Sequence, residues 1–268
     1  MKLKEETKKD LFEITQFIIE NTTKSLDNNR ILLIKNSKVK ELLISHEIDI
    51  THLEKSVNIL EYRMLIGLLL LDLNSSTRAY LNSVNDYEKL YASRQIIVII
   101  KEGYQKIYDF VFKNNEGQTV MKNRNKSFWN NEIRMIIEND IPELVAKYEE
   151  ITIALNEFYD NNFDSIKEQR DLSIHYDKKA SKVYDMITNI DIDGTFKKMI
   201  PFSDILFKML NFTEKIAEFL IEILRKENNK TYESTKMNFE KIKKKISKHN
   251  LDIDIEQLTK LFNTIKLS

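Results

Sequence analysis

Apolar residues recur three and four positions apart along most of this chain, the spacing that lines one face of an α-helix. Between Asp10 and Ser45 that spacing is kept by Leu11, Ile14, Ile18, Ile31, Ile34 and Leu42. The run NTTKSLDNNR, Asn21 to Arg30, predicts an interruption, because Asn and Asp favour turns and caps. A long helix is predicted over Ile50–Leu81, striped by Leu53, Val57, Leu60, Met64, Leu68, Leu71 and Leu81. From Met64 to Leu73 it is apolar on almost every side, which predicts a place in the middle of a bundle. SVND supplies a link and a new N-cap, and the next helix is predicted over Tyr87–Phe112. Its centre, IIVII (Ile96–Ile100), would suit a strand by itself, but the helical period flanking it over about 25 residues decides for helix.

Asn114–Ser127 is a loop by composition, and Phe128–Asn139 a short helix. Pro142 suits a first helical turn, with Asp140 as the cap, and the helix then reads unbroken to about Arg170. A break is predicted at DIDGTF (Asp191–Phe196), with a further helix over Ser203–Lys226 that starts near Pro201. Thr231–Ser268 reads as two short amphipathic helices split at HNLDID. Short links between sequential helices predict an all-α, up-and-down bundle.

Composition supports that class. The 268 residues include six Gly and Pro together, against roughly 30 at average usage, so few turns can be built. There is no cysteine, which excludes disulfides and thiolate-held zinc and fits a reducing compartment. The histidines, His46, His52, His175 and His249, form no HExxH pair, and no metal or cofactor is expected. DIDGT opens like a calcium loop, but its twelfth place is Phe202, so calcium is rejected. Formal net charge is zero, which excludes a globally basic nucleic-acid binder. MKLKEETKKD has no apolar core of a signal peptide. The longest apolar run, MLIGLLLL, has eight residues, where a membrane span needs about 20. The expectation is a soluble, cytoplasmic protein with no membrane partner.

One stretch carries candidate chemistry: EQRDLSIHYD, Glu168 to Asp177. The helix before it is striped by Leu144, Val145, Tyr148, Ile151, Leu155, Phe158, Tyr159 and Ile166. At 100° per residue from Leu155, Ile166 lies about 20° away and Arg170 about 60°. Arg170 thus extends an apolar stripe, which is costly unless it is paired or meets an anion or another chain. His175 falls about 200° away, so the two side chains would not converge on one straight helix. Either the helix ends between them or a second copy completes the site. Asp171, four residues before His175, lies on its face and could hold the imidazole. The plain alternative is an Arg salt-bridged inside the bundle and a surface His.

Arg170, the polar Asp171 after it, and His175 make RDLSIH resemble the R-x4-6-H motif of the HEPN superfamily (higher eukaryotes and prokaryotes nucleotide-binding). The resemblance implies a HEPN-like bundle over residues 50–228, with an N-terminal helical extension (1–49) and a C-terminal helical appendage (229–268). It also implies a homodimeric, metal-independent endoribonuclease of phage defence or of a toxin–antitoxin pair, with an antitoxin or defence-system partner. His175 would then be the acid/base, Arg170 the phosphate clamp, and Asp171 the residue that orients the imidazole. In HEPN toxins paired with a minimal nucleotidyltransferase, a Tyr stands two places after the His. Here Tyr176 follows directly and Asp177 takes the second place, which counts against regulation through that tyrosine. Some HEPN domains are inactive dimerising scaffolds.

Two basic segments are weaker candidates for RNA. KNRNKSFW offers Lys122, Arg124 and Lys126 to a backbone and Trp129 to a base, or simply a solvated loop with Trp129 anchoring the next helix. KIKKKISKH (Lys241–His249) offers five lysines, or simply the exposed face of an amphipathic helix. The functions of other classes that stay open are a non-catalytic helical interaction module and an RNA-binding bundle without cleavage.

Overall fold

The computed structural model describes residues 5–44, 50–108, 111–113, 119–122, 124–174 and 180–248. It is an all-α helical bundle carrying one small hairpin. The helices are α1 (Glu5–Ile44), α2 (Thr51–Leu81), α3 (Asp86–Ile107), α4 (Arg134–Asp140), α5 (Val145–Ile174), α6 (Ala180–Thr188) and α7 (Ile192–Lys248). Two strands, β1 (Val111–Lys113) and β2 (Thr119–Lys122), pair antiparallel between α3 and α4. The chain divides into two compact units, Met1–Ala217 and Glu218–Ser268. Among the described residues no helix is long and apolar enough to cross a membrane.

α1 runs through the Asn-rich stretch where an interruption was expected. Its polar side chains bond back into the helix: Asn21 Nδ2 donates to the Phe17 carbonyl at 2.8 Å and Thr23 Oγ1 to the Ile19 carbonyl at 2.8 Å. The rest is settled by packing on α2. Among the described side chains of α1, Thr15, Thr22, Leu26 and Asn29 are buried, three of them polar. They meet α2 in an antiparallel ladder. Gln16 accepts from Arg78, Leu26 packs over Gly67, Asn29 Oδ1 accepts from Arg63 Nη1 at 2.6 Å, and Lys40 pairs with Glu54 at 2.8 Å. Arg78 also lies over the Phe12 ring, 4.3 Å from its centroid. Arg63 is buried and its Nη2 reaches Glu214 of α7 at 3.1 Å, so one guanidinium ties three helices.

Glycine sets the close approach of α1, α2 and α3. A Cβ on Gly67 would stand 2.5 Å from Leu26 Cδ2, and one on Gly103 would stand 2.9 Å from Leu69 Cδ2. Each leucine fills the space of a missing side chain on the next helix. α3 begins where SVND predicts, with Asn85 Oδ1 accepting from the Glu88 amide at 2.9 Å. It ends at Ile107, five residues early, because Val111 and Phe112 belong to β1. The expected loop over Asn114–Ser127 likewise contains β2 and a 3-10 turn at Arg124–Lys126.

The core of the first unit lies between α2, α3, α5 and the N-terminal part of α7. Ile59, Ile66, Leu70, Ile96, Tyr104, Ile151, Leu155, Ile166, Phe202 and Leu206 are buried in it. Burial of each such aliphatic or aromatic side chain is worth about 1.5–3 kcal/mol. Tyr104 sits among Tyr108, Phe158, Tyr159 and Phe163, and its hydroxyl donates to the Leu155 carbonyl at 3.0 Å.

One cap differs from expectation, and one was not foreseen. Asp140 does not cap α5. It ends α4 and pairs with Lys55 at 2.7 Å, while Ile141 holds the cap position before a 3-10 turn at Pro142–Leu144. Asp191 does cap α7: its Oδ1 accepts from the Gly194 amide at 2.9 Å, which gives the DIDG stretch a structural purpose. The helical assignment of α7 continues through Pro201 to Lys248, so no new helix starts at Ser203 and no break falls near Lys226. Proline inside a helix costs about 3 kcal/mol. Here it is exposed, and the burial of its neighbours Met199, Phe202, Ile205 and Leu206 offsets that cost.

Candidate functional site

α5 delivers the candidate arginine. Its buried face, Tyr148, Ile151, Leu155, Phe158, Phe163 and Ile166, fixes the rotation of the helix in the bundle. Arg170 follows Ile166 by four residues and so lies one turn further along that face. Its side chain is 21% exposed, at the edge of the core rather than within it.

A second helix holds that guanidinium. Arg170 Nη2 is 2.7 Å from Oε1 of Glu102 on α3. The same oxygen takes Lys101 Nζ at 3.2 Å. The Lys101 side chain is only 10% exposed, because it continues the buried face of Ile97 and Tyr104. One carboxylate oxygen therefore receives two cations, each on an otherwise apolar stripe of its own helix. Burial pushes the Glu102 carboxyl up, but the hydrogen bonds and charges of Lys101 and Arg170 outweigh it and hold the group below the usual carboxylate range.

Compared with family models, curated proteins and solved structures, the chain finds no match.

Of the three residues expected to act together, the structure positions Arg170. Asp171 lies in the last turn of α5, but its side chain is outside the described residues, and so is His175 as a whole. No local pattern points to Glu102, 68 positions before Arg170. A signal for Lys101 was present. It is a charged residue in helical register with Ile97 and Tyr104, the same kind of break in an apolar stripe that marked Arg170.

The basic loop fares differently. Trp129 is fully buried, as the anchoring reading expects, and has no ring face open to a base. Its Nε1 donates to Thr152 Oγ1 at 2.8 Å, and its ring stacks on Tyr148, centroids 5.2 Å apart. It opens a π-helical turn, Trp129–Ile133, that runs into α4. Burial pushes the Tyr148 phenol up to about 12, so it stays neutral, within 3.1 Å of Asn130 Oδ1 as a donor. Lys126 is exposed. Lys122 lies in β2 and Arg124 in the 3-10 turn, with side chains outside the described residues.

A surface pocket of about 380 Å³ lies beside this turn, lined in part by Asn130, Arg134, Glu138, Tyr148 and Thr152. Its polar groups bond to one another, Arg134 to Glu138 at 2.7 Å and Thr152 to the Tyr148 carbonyl at 2.8 Å. Among the described residues no three His, Cys, Asp or Glu gather into a metal-binding group.

Proposed function

We propose that this chain is a HEPN-type, metal-independent endoribonuclease that works as a homodimer. The observation that supports this best is Arg170 itself: a guanidinium at the end of α5, partly open to solvent and oriented from α3 by Glu102. A planar, pre-oriented guanidinium suits a phosphodiester, which it can grip through two parallel hydrogen bonds.

The chemistry needs few groups. The ribose 2′-oxygen attacks the adjacent phosphorus, and a base takes its proton. The P–O5′ bond breaks, the 5′-oxygen leaves with a proton from an acid, and a 2′,3′-cyclic phosphate remains. His175 serves as base or acid, a role for which the imidazole is suited. Asp171 orients it. Arg170 stabilises the charge that builds on the phosphoryl oxygens. Assembly of two chains would bring two such motifs to one cleft. Phage defence, or a toxin held in check by an antitoxin, is the biological setting this activity would serve, in the cytoplasm.

A second reading has an observation in its favour. The Arg170–Glu102 pair is closed within one chain, as it would be in a helical scaffold that cleaves nothing. Cleavage of RNA in EDTA by wild type, Arg170→Ala and His175→Ala separates the two. Loss of an acid/base costs about 10²–10⁴-fold. The nuclease predicts cleavage that both substitutions abolish, by a protein of twice the chain mass. Equal traces in all three, or no cleavage of several RNAs, would leave the scaffold.

A further inference from the structure

We infer that Glu102 is a positioning residue for Arg170, with Lys101 as its second counter-ion. This rests on the ribonuclease reading and adds α3 to the site.

An ordinary surface ion pair does not look like this one. Exposed pairs bring two long, mobile side chains together and contribute about 0–1 kcal/mol. Here both cations stand on apolar stripes, 10% and 21% exposed, and both converge on Oε1 of one carboxylate. Lys101 is too enclosed to reach a substrate, and its contact with Glu102 anchors that carboxylate from the core side. Glu102 in turn fixes one edge of the guanidinium. The Arg170 stem enters from α5 and its head is held from α3, so two helices determine the plane of the guanidinium. Misplacing a catalytic group by about 1 Å can cost on the order of 10²-fold in rate.

Glu102 also carries a negative charge next to the place where a phosphate would sit. Its two effects on RNA therefore have opposite signs. It lowers affinity by repulsion and raises rate by aiming Arg170. A residue that merely stabilised the fold would not separate these.

The test is steady-state cleavage of a short oligoribonucleotide by full-length wild type and Glu102→Gln, with thermal unfolding measured alongside. The amide keeps the shape and removes the charge. The expected result is a fall in kcat of about 10–100-fold, with KM unchanged or lower and a steeper salt dependence of KM. If Glu102→Gln does not fold because two cations are left without their carboxylate, the double variant Lys101→Met/Glu102→Gln removes one of them. It should fold and show the same loss of kcat. Wild-type kcat in whichever variant folds would overturn the inference and leave the trio as a structural ion cluster. A parallel loss of kcat and rise in KM would overturn it as well, because substrate binding itself would then need Glu102. If wild type cleaves no RNA, the ribonuclease reading fails first, and the role of Glu102 falls with it.

Discussion

The contact between Leu26 and Gly67 can be weighed by a double-mutant cycle. Gly67→Ala puts a methyl where Leu26 Cδ2 now lies, 2.5 Å from the new Cβ. Overpacking of this kind costs about 1–3 kcal/mol, while alanine in place of glycine inside a helix returns about 0.5–1. The single variant should lose roughly 1 kcal/mol net. Leu26→Ala removes a side chain that is 7% exposed and should cost about 2–3 kcal/mol, the low end for buried leucine because it lies at the rim. Independent effects would sum to roughly 3–4 kcal/mol. In the double variant the new methyl faces the space that Leu26 vacated, so the overpacking disappears and part of the cavity is filled. The double variant should be no less stable than Leu26→Ala alone, a coupling of about 1–2 kcal/mol in its favour. Urea unfolding of the four proteins, with equal m-values, gives the numbers. Additivity within about 0.5 kcal/mol would show that Leu26 does not press on Gly67, and the close approach of α1 and α2 would need another cause.

Two further outcomes follow from the described contacts. Trp129→Phe should lose the bond to Thr152 and some ring volume, lowering stability by roughly 2 kcal/mol. RNA affinity, measured by filter binding, should not change, and a weakened affinity in a fully folded variant would contradict the buried position of Trp129. Glu102 has its carboxyl held below the ordinary value of 4.5, so its contribution to stability is fully present above pH 4.5 and fades as pH falls below that through the folded-state value. Denaturant midpoints taken from pH 6 downward should decline less steeply below pH 4.5 in Glu102→Gln than in wild type. Identical slopes would mean that Lys101 and Arg170 do not favour the ionised form.

Helix α2 and the start of α3 were legible because one signal sufficed for each. A stripe of leucines fixed α2, and Asn85 three residues before Glu88 marked the cap of α3. Where two signals conflicted, tertiary packing decided. Asn21, Asp27, Asn28 and Asn29 argued for a turn, but Asn29 is buried beside α2 with Arg63 as a partner, so α1 continues. Pro201 argued for a helix start, but the buried residues on both sides of it keep α7 whole. The hairpin was missed because strands of three and four residues are too short to show a period of two. Arg170 was visible as a charge on an apolar stripe, whereas its partner depends on how α3 rotates against α5, which no local pattern encodes. The basic loop left two readings open, because an aromatic beside lysines looks the same in sequence whether it faces RNA or the core, and the burial of Trp129 favours the core.

The ladder between α1 and α2 limits how α1 can move. Gln16–Arg78, Leu26–Gly67, Asn29–Arg63 and Lys40–Glu54 pair residues whose numbers sum to 92–94, so they share one register. They are spread over 24 residues of α1, about 36 Å of helix. A slide of one turn, about 5.4 Å, would break all four at once and would move Leu26 off the only α2 position without a side chain. Lifting α1 from one end breaks them one at a time, and each freed Gln, Asn or Lys can bond to water. Any displacement of α1 from the bundle should therefore proceed as a peel from one end, not as a piston stroke, with its register kept until the last rung opens.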